Sequence, residues 1–255
     1  MKYGQMKVHA DYEARHWWFG GRMNIIKDLL NNIVPPFKDH IVIDIGCGTG
    51  GVIANLSKEY QVIGIDPSKD GTDFAKALQP DLEIIHGYFA QHFRQYKVDA
   101  KAYLMLDVLE HVENDNKLLS EAISIMSSGS YLIITVPANP SMWSPHDVSY
   151  GHFRRYTKTT FELLWKDLPV EPLMVSYFNA RLYPLIKLIR GFTQRRSKAF
   201  GKAGTDVKIP LFGLNRILKW IFRGESKILL DHYYGKRDIG YIKGVSLIAM
   251  LRLNR

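Results

Sequence analysis

Cys47 is the only cysteine in a chain of 255 residues, so no disulfide can form within it. Long apolar runs are also missing, and no stretch approaches the roughly 20 residues that a membrane-spanning helix needs. The first residues carry charges and aromatics where a secretory signal would have its apolar core. These absences lead us to expect a cytoplasmic protein in a reducing compartment. Acidic residues are scarce in one place. Between Arg181 and Arg223 there are 11 Lys or Arg and one acid, Asp206, while the whole chain carries +9. The basicity therefore belongs to that segment, and the rest of the chain is close to neutral. A nucleic-acid surface would spread its charge differently, so no nucleic-acid partner is expected. What the chain does have is apolar content, 46%, enough for the full core of one large α/β domain with an insertion.

The most informative stretch is Ile41-Val-Ile-Asp-Ile-Gly-Cys-Gly-Thr-Gly-Gly51. It predicts a buried strand, a glycine loop and a helix starting near Gly50, the form of a cofactor-binding turn. Gly46, Gly48 and Gly51 satisfy the dinucleotide fingerprint G-x-G-x-x-G. Asp44 argues for another ligand, because a carboxylate beside the loop would repel a pyrophosphate. It would order the loop by accepting backbone N–H groups and attract a cation. S-adenosylmethionine (SAM) suits such a site, with a sulfonium, an ammonium and no phosphate. A second strand, Gln61 to Ile65, leads into Asp66, suited to the two ribose hydroxyls of an adenosine. A further strand, 99–105, is followed by Asp107-Val-Leu-Glu-His-Val112.

Asp44-Ile-Gly-Cys-Gly-Thr-Gly50, Asp66 and Leu109-Glu-His-Val112 together resemble the class I SAM-dependent methyltransferases. Further stretches resemble the branch often found among bacterial glycan and secondary-metabolite genes. They are Glu13-x-x-His16-Trp-Trp-Phe19, Val136-Pro-Ala138, Trp143-Ser-Pro-His-Asp147 and Gly151-His-Phe-Arg-Arg-Tyr-Thr157. The likeness covers about residues 11–165, with an echo at Gly244-Val-Ser-Leu247. Where the branch has Phe-Arg-Gly-Arg, this chain has Phe19-Gly-Gly-Arg22, which leaves Arg22 to carry the basic role alone.

Alternating strand and helix patterns predict a parallel sheet with helices on both faces. Strands are expected at 41–45, 61–65, 83–86, 99–105, 130–136, 171–177 and 245–253. Thr157 reads as an N-cap for a helix through Trp165. The resemblance makes the fold a seven-stranded, Rossmann-like, doubly wound sheet with its last strand antiparallel at the edge. The expected division is an N-terminal helical lid (1–38), a SAM-binding body (39–179 and 240–255) and a basic amphipathic helical insertion (180–239). Its segments 181–190 and 211–223 interleave apolar bulk with cations, a pattern suited to an anionic membrane, a lipid-bearing substrate, packing on the sheet or a homodimer face. Residues 194–202, with Arg195, Arg196, Lys198 and Lys202, read as a connector loop.

The resemblance implies that Gly46, Cys47, Gly48 and Gly50 wrap the methionine portion of SAM, that Asp66 and Pro67 adjoin the ribose, and that Gly87 and Tyr88 reach the adenine. Leu106 and Asp107 would line the sulfonium region. Tyr12, Trp17 and Arg22 would fold over it, Arg22 pairing with the methionine carboxylate; Trp17 or Trp18 can equally be core aromatics. On the acceptor side, His146, His152 and His111 are candidate bases, and Trp143, Asp147, Arg154, Arg155 and Tyr156 candidate substrate contacts. Arg155 can alternatively pair with Asp147 to fix the loop. His146, Asp147 and His152 are spaced for a metal, but nothing in the sequence completes a ligand set, so no metal is expected.

The function expected is in-line methyl transfer from SAM to a small-molecule, glycan or lipid-linked acceptor, with oxygen the favoured atom. The alternatives are an NAD(P) oxidoreductase and a non-catalytic SAM-binding protein at the membrane. The Asn/Asp-Pro-Pro-aromatic motif of amino-directed base methylases is absent.

Overall fold

A computed structural model describes residues 3–95, 98–196 and 208–254. Its seven strands are β1 (Ile41–Ile45), β2 (Gln61–Asp66), β3 (Glu83–His86), β4 (Ala100–Leu106), β5 (Tyr131–Pro137), β6 (Val170–Phe178) and β7 (Ser246–Leu253). They form one sheet in the order β3-β2-β1-β4-β5-β7-β6. The first five are parallel, and β7 runs antiparallel to both β5 and β6. The Rossmann-like sheet expected from the sequence is therefore present, with one correction. β7 is an interior strand and β6 forms the edge. Seven of the eight β7 residues are buried, which requires a neighbour on each side and cover on both faces.

The strands alternate their side chains between two cores. Val42, Val62, Ala102, Leu104, Ile133 and Ile248 point to one, while Ile43, Ile63, Tyr103, Met105, Ile134 and Ala249 point to the other. Between the strands run α3 (Gly51–Leu56), α4 (Lys69–Leu78), α5 (Phe89–Phe93) and α6 (Asp115–Ile125). After β5 come a single 3-10 turn, Pro140–Met142, then α7 (Pro145–Tyr150) and α8 (Lys158–Glu162). Thr157 caps α8 as expected, accepting the Thr160 N–H, and a 3-10 turn continues it to Trp165.

The leading helical region is two helices, α1 (Tyr3–Arg15) and α2 (Trp17–Ile33), broken at His16. His16 is extended and its ring accepts the Trp18 N–H, so the side chain caps α2. Between β6 and β7 lie α9 (Tyr183–Arg196), α10 (Phe212–Arg223) and α11 (Ser226–Tyr233). Gln194, Arg195 and Arg196 belong to α9 and not to a loop; Lys198 and Lys202 lie outside the described residues.

Helix α10 packs along α2. Its Asn215 bridges the break between the first two helices, accepting the Trp17 N–H at 2.9 Å and donating to the Arg15 carbonyl at 2.8 Å. Gly21 permits the close approach, since a Cβ there would meet Phe222 Cδ1 at 2.5 Å.

Candidate active site

The glycine loop turns on three left-handed residues, Gly46 (φ 80°), Gly48 (φ 52°) and Gly50 (φ 82°). A Cβ at Gly46 would strike Val108 Cγ2 at 2.6 Å, whereas one at Gly48 would meet nothing within 4 Å. The loop face at Gly48 is therefore bare backbone. Asp66 ties this loop to the next: Gly48 N–H donates to Oδ2 at 2.9 Å and Ser68 N–H to Oδ1 at 2.7 Å. The loop-ordering role expected of Asp44 thus falls to Asp66, because Asp66 stands at the end of β2, level with the loop, while Asp44 lies within β1.

Asp44 is 2% exposed, and its Oδ2 has no hydrogen-bond partner. Burial pushes its carboxyl up to about 7, although the Arg22 guanidinium pulls the other way. A buried, unpaired acid beside bare loop backbone fits a cationic ligand such as SAM.

Cys47 is buried, and its Sγ lies 2.9 Å from where a Cβ of Gly64 would be. The side chain therefore packs on β2, burial and nearby acids raise its thiol, and only its backbone is available to a cofactor. Leu106 lines a cavity of about 200 Å³ with Glu13, Phe19, Arg22, Thr49 and Gly50. Arg22 is 7% exposed, ion-paired with Asp107 and 4.7 Å from the Trp18 ring centre. The structure thus joins two residues that the sequence assigned to separate contacts with SAM. Asp107 has φ 59°, a strained conformation for a non-glycine residue where β4 ends.

Trp17 takes the core place that the sequence left open for Trp17 or Trp18. It is 9% exposed and meets Phe222 edge-on at 5.9 Å, since the α2 face that carries it turns toward α10. Tyr12 is 7% exposed and lies edge-on to His16. Gly87 N–H donates to the Asp66 carbonyl, and Tyr88 beside it is exposed at the cap of α5. The Pro67 carbonyl bonds the His86 ring at 3.1 Å.

The segment expected to face the acceptor is built around Asp147, which is fully buried. Its Oδ2 accepts the Ser144 N–H at 2.8 Å, closing a capping box at the start of α7. Its Oδ1 accepts from Arg155 Nε at 2.8 Å and from His152 Nδ1 at 3.0 Å. Arg155 also donates to the Ala138 carbonyl at 2.9 Å. Arg154 pairs with Asp115 at 2.9 Å and donates to the Glu113 carbonyl, while the Tyr156 hydroxyl donates to Asp115 at 2.7 Å. Asp147, Arg154, Arg155 and Tyr156, candidate substrate contacts in the sequence, each find partners within the protein, and the Asp147–Arg155 pairing is the alternative that the sequence left open. Trp143 is half-buried behind the 3-10 turn.

The three histidines converge. The rings of His111 and His152 lie 4.7 Å apart, and those of His146 and His152 6.4 Å. Burial lowers His111 to about 4 and His146 to about 3, so both are neutral at pH 7. Asp147 Oδ1 holds the Nδ1 side of the His152 ring, so Nε2 is the nitrogen turned away from that carboxylate. Glu110 is 1% exposed with Oε2 unpartnered, and burial together with Asp107 raises its carboxyl. Among the described residues, Glu110, His111 and His152 each bring a ligand atom within 4.8 Å of the others. This is a different set from the His146, Asp147 and His152 spacing considered in the sequence.

Sequence reading gave no role to Glu13 or His9 here. Glu13 accepts the Thr49 hydroxyl and lies against Gly51, placing α1 over the glycine loop. His9, 3.7 Å from Glu13, has its ring 6.0 Å from that of Tyr150, so α1 also reaches the histidine group. Only the Glu13-x-x-His16 spacing signalled any of this.

The family model described as a methyltransferase domain matches residues 18–169, more than half of the chain. Among curated proteins, the ubiquinone biosynthesis O-methyltransferase of Rickettsia bellii is 28% identical over 141 residues, 48% of this chain and 58% of that protein. The chain thus matches over little more than half the length of that relative. Among solved structures, a SAM-dependent methyltransferase from Archaeoglobus fulgidus superposes with TM-score 0.53 at 18% identity, covering 90% of this chain and 94% of the other. The plantazolicin methyltransferase BpumL, solved with SAH, gives TM-score 0.57 at 18% identity, with 98% and 90% coverage. The chain belongs to the methyltransferase-domain family, with the fold of the SAM-dependent enzymes.

Proposed function

We propose that this protein transfers a methyl group from SAM to an oxygen of a small-molecule, glycan or lipid-linked acceptor. The observation that carries this reading is the Asp147–His152 pair, a buried carboxylate holding an imidazole. SAM, when bound, supplies a methyl already activated by its sulfonium. The protein's own work is then alignment, exclusion of water and removal of one proton. Asp44 offsets the positive charge, Asp66 meets the ribose, Gly46, Gly48 and Gly50 present backbone, and Tyr88, exposed at the start of α5, covers the adenine. His152 Nε2 takes the acceptor's hydroxyl proton, Asp147 stabilises the resulting imidazolium, and Arg155 keeps Asp147 ionised. Residues 1–38 serve as the lid, 39–179 with 240–255 as the cofactor-binding body, and 180–239 as the appended unit. The reaction is read as metal-independent.

The test is turnover of methyl-labelled SAM against metabolite and glycan extracts. His152→Ala should lower kcat by about 10²–10⁴-fold and leave the thermal shift caused by S-adenosylhomocysteine unchanged. Equal loss of turnover and cofactor binding would make His152 structural.

A further inference from the structure

The basic insertion is not used by the methyl-transfer reading, and α10 is its clearest element. One side of α10 is spoken for, since Phe222 is fully buried and Asn215 holds the break between α1 and α2. The other side is apolar and uncovered. Leu214 is 50% exposed, Ile217 55% and Trp220 75%, with Leu211 before the helix at 87%. Spacing of three residues keeps Leu214, Ile217 and Trp220 on a slowly winding stripe. Arg216, Lys219 and Arg223, three and four residues apart in turn, share the adjoining flank, with the Lys219 chain lying against Gly20 of α2. Among the described residues of this helix there is no acid.

A cavity of about 650 Å³ opens beside the same helix. Arg181, Arg223, Lys227 and Lys236 line it against Asp28 and Asp231, with Trp220 in its wall. Lys227 pairs with Asp231 at 2.8 Å, which leaves the lining with a cationic excess. An exposed tryptophan joins the apolar stripe to this basic cleft. That combination matches a bilayer surface, where the stripe enters the acyl boundary and the cleft receives a phosphate group.

We infer that the outer face of α10 and the adjoining basic cleft form a docking surface for an anionic phospholipid bilayer. The protein lies on such a surface and does not cross it, as no described helix is long and apolar enough to span. The surface is held in shape before docking, because Gly21, Phe222 and Asn215 lock α10 onto α2. The inference is independent of the acceptor chemistry proposed above.

Vesicle flotation of the full chain tests it, using phosphatidylcholine alone and phosphatidylcholine with about one-third phosphatidylglycerol. Binding is expected only to the anionic vesicles and should fall as salt is raised. Ile217→Ser with Trp220→Ser should weaken it at least about tenfold, as should Arg223→Glu with Lys227→Glu. All four residues lie away from the glycine loop, so the shift in Tm caused by S-adenosylhomocysteine should be unchanged, which confirms that the variants are folded. Four outcomes would overturn the inference: no flotation, equal flotation on neutral vesicles, flotation untouched by both variants, or stabilisation by inorganic phosphate without flotation. A dimer by light scattering that the Ile217→Ser, Trp220→Ser variant abolishes, with no flotation, would assign the face to a second copy of the chain.

Discussion

Replacing Asp44 by Asn should make the ligand-free protein more stable and its cofactor binding weaker. The reason lies in the raised carboxyl. Relative to its ordinary value of 3.8, a folded value of about 7 makes ionised Asp44 about 4 kcal/mol less favourable in the folded protein than in the unfolded chain. The sign follows directly. Above pH 3.8 the unfolded chain has lost this proton while the folded protein keeps it, so stability falls as pH rises toward 7 and levels off beyond. At pH 5 the penalty is still under about 2 kcal/mol. An Asn carries none of this dependence, though its amide is a buried donor that costs about 1–3 kcal/mol if unpartnered. At pH 8 the variant should therefore be more stable by about 1–3 kcal/mol, a rise in Tm of about 5 °C in a chain of this size. Between pH 5 and pH 8 the gap between variant and wild type should widen by about 3 kcal/mol. Differential scanning fluorimetry across that range measures it. Calorimetry should find SAM binding weakened at least about tenfold in the variant, and wild-type affinity climbing with pH up to about 7 before flattening. A variant less stable at pH 8, or a gap that does not widen, would refute the assignment of Asp44 as a buried acid awaiting a cation.

Asp66→Ala should weaken SAM binding and also lower stability by about 1–3 kcal/mol, since two backbone N–H groups lose their acceptor; calorimetry and urea unfolding read the two effects separately. Gly21→Ala should cost about 1–3 kcal/mol, because the new Cβ meets the buried Phe222 ring; an unchanged urea midpoint would contradict the α2–α10 contact. Asp147→Asn should be the most damaging acceptor-side change, at about 3–5 kcal/mol, as it leaves buried Arg155 without its carboxylate. Turnover should survive a chelator. Its loss on chelation and return with a divalent ion would assign a metal to Glu110, His111 and His152.

Much of the frame was legible along the chain. Strands β1 to β5 were marked by short apolar runs, and the turns at Gly46, Gly48 and Gly50 by residues that alone adopt left-handed backbone without strain. These are local properties, set by a few consecutive residues. The place of β7 was not legible, because its buried run names no neighbour, and only the sheet seats it between β5 and β6. Charged residues were the hardest to read. Asp147 and Arg155 read equally as groups for a substrate or as each other's partner, and only the fold shows the pairing. Arg22 and Asp107 were assigned separate contacts with SAM and turned out to be each other's partner.

The sequence by itself determined the sheet's strands, the bare glycine loop and the two acids beside it, because backbone preference and apolar periodicity act over neighbouring residues. Tertiary structure decided which charges are spent and which remain. It left Asp44 unpaired, saturated Asp147, brought His9, His111, His146 and His152 together with Tyr150, and turned Trp220 outward. Those outcomes depend on partners that lie far apart in the chain, where a charge or an aromatic ring has no means of announcing what it will meet.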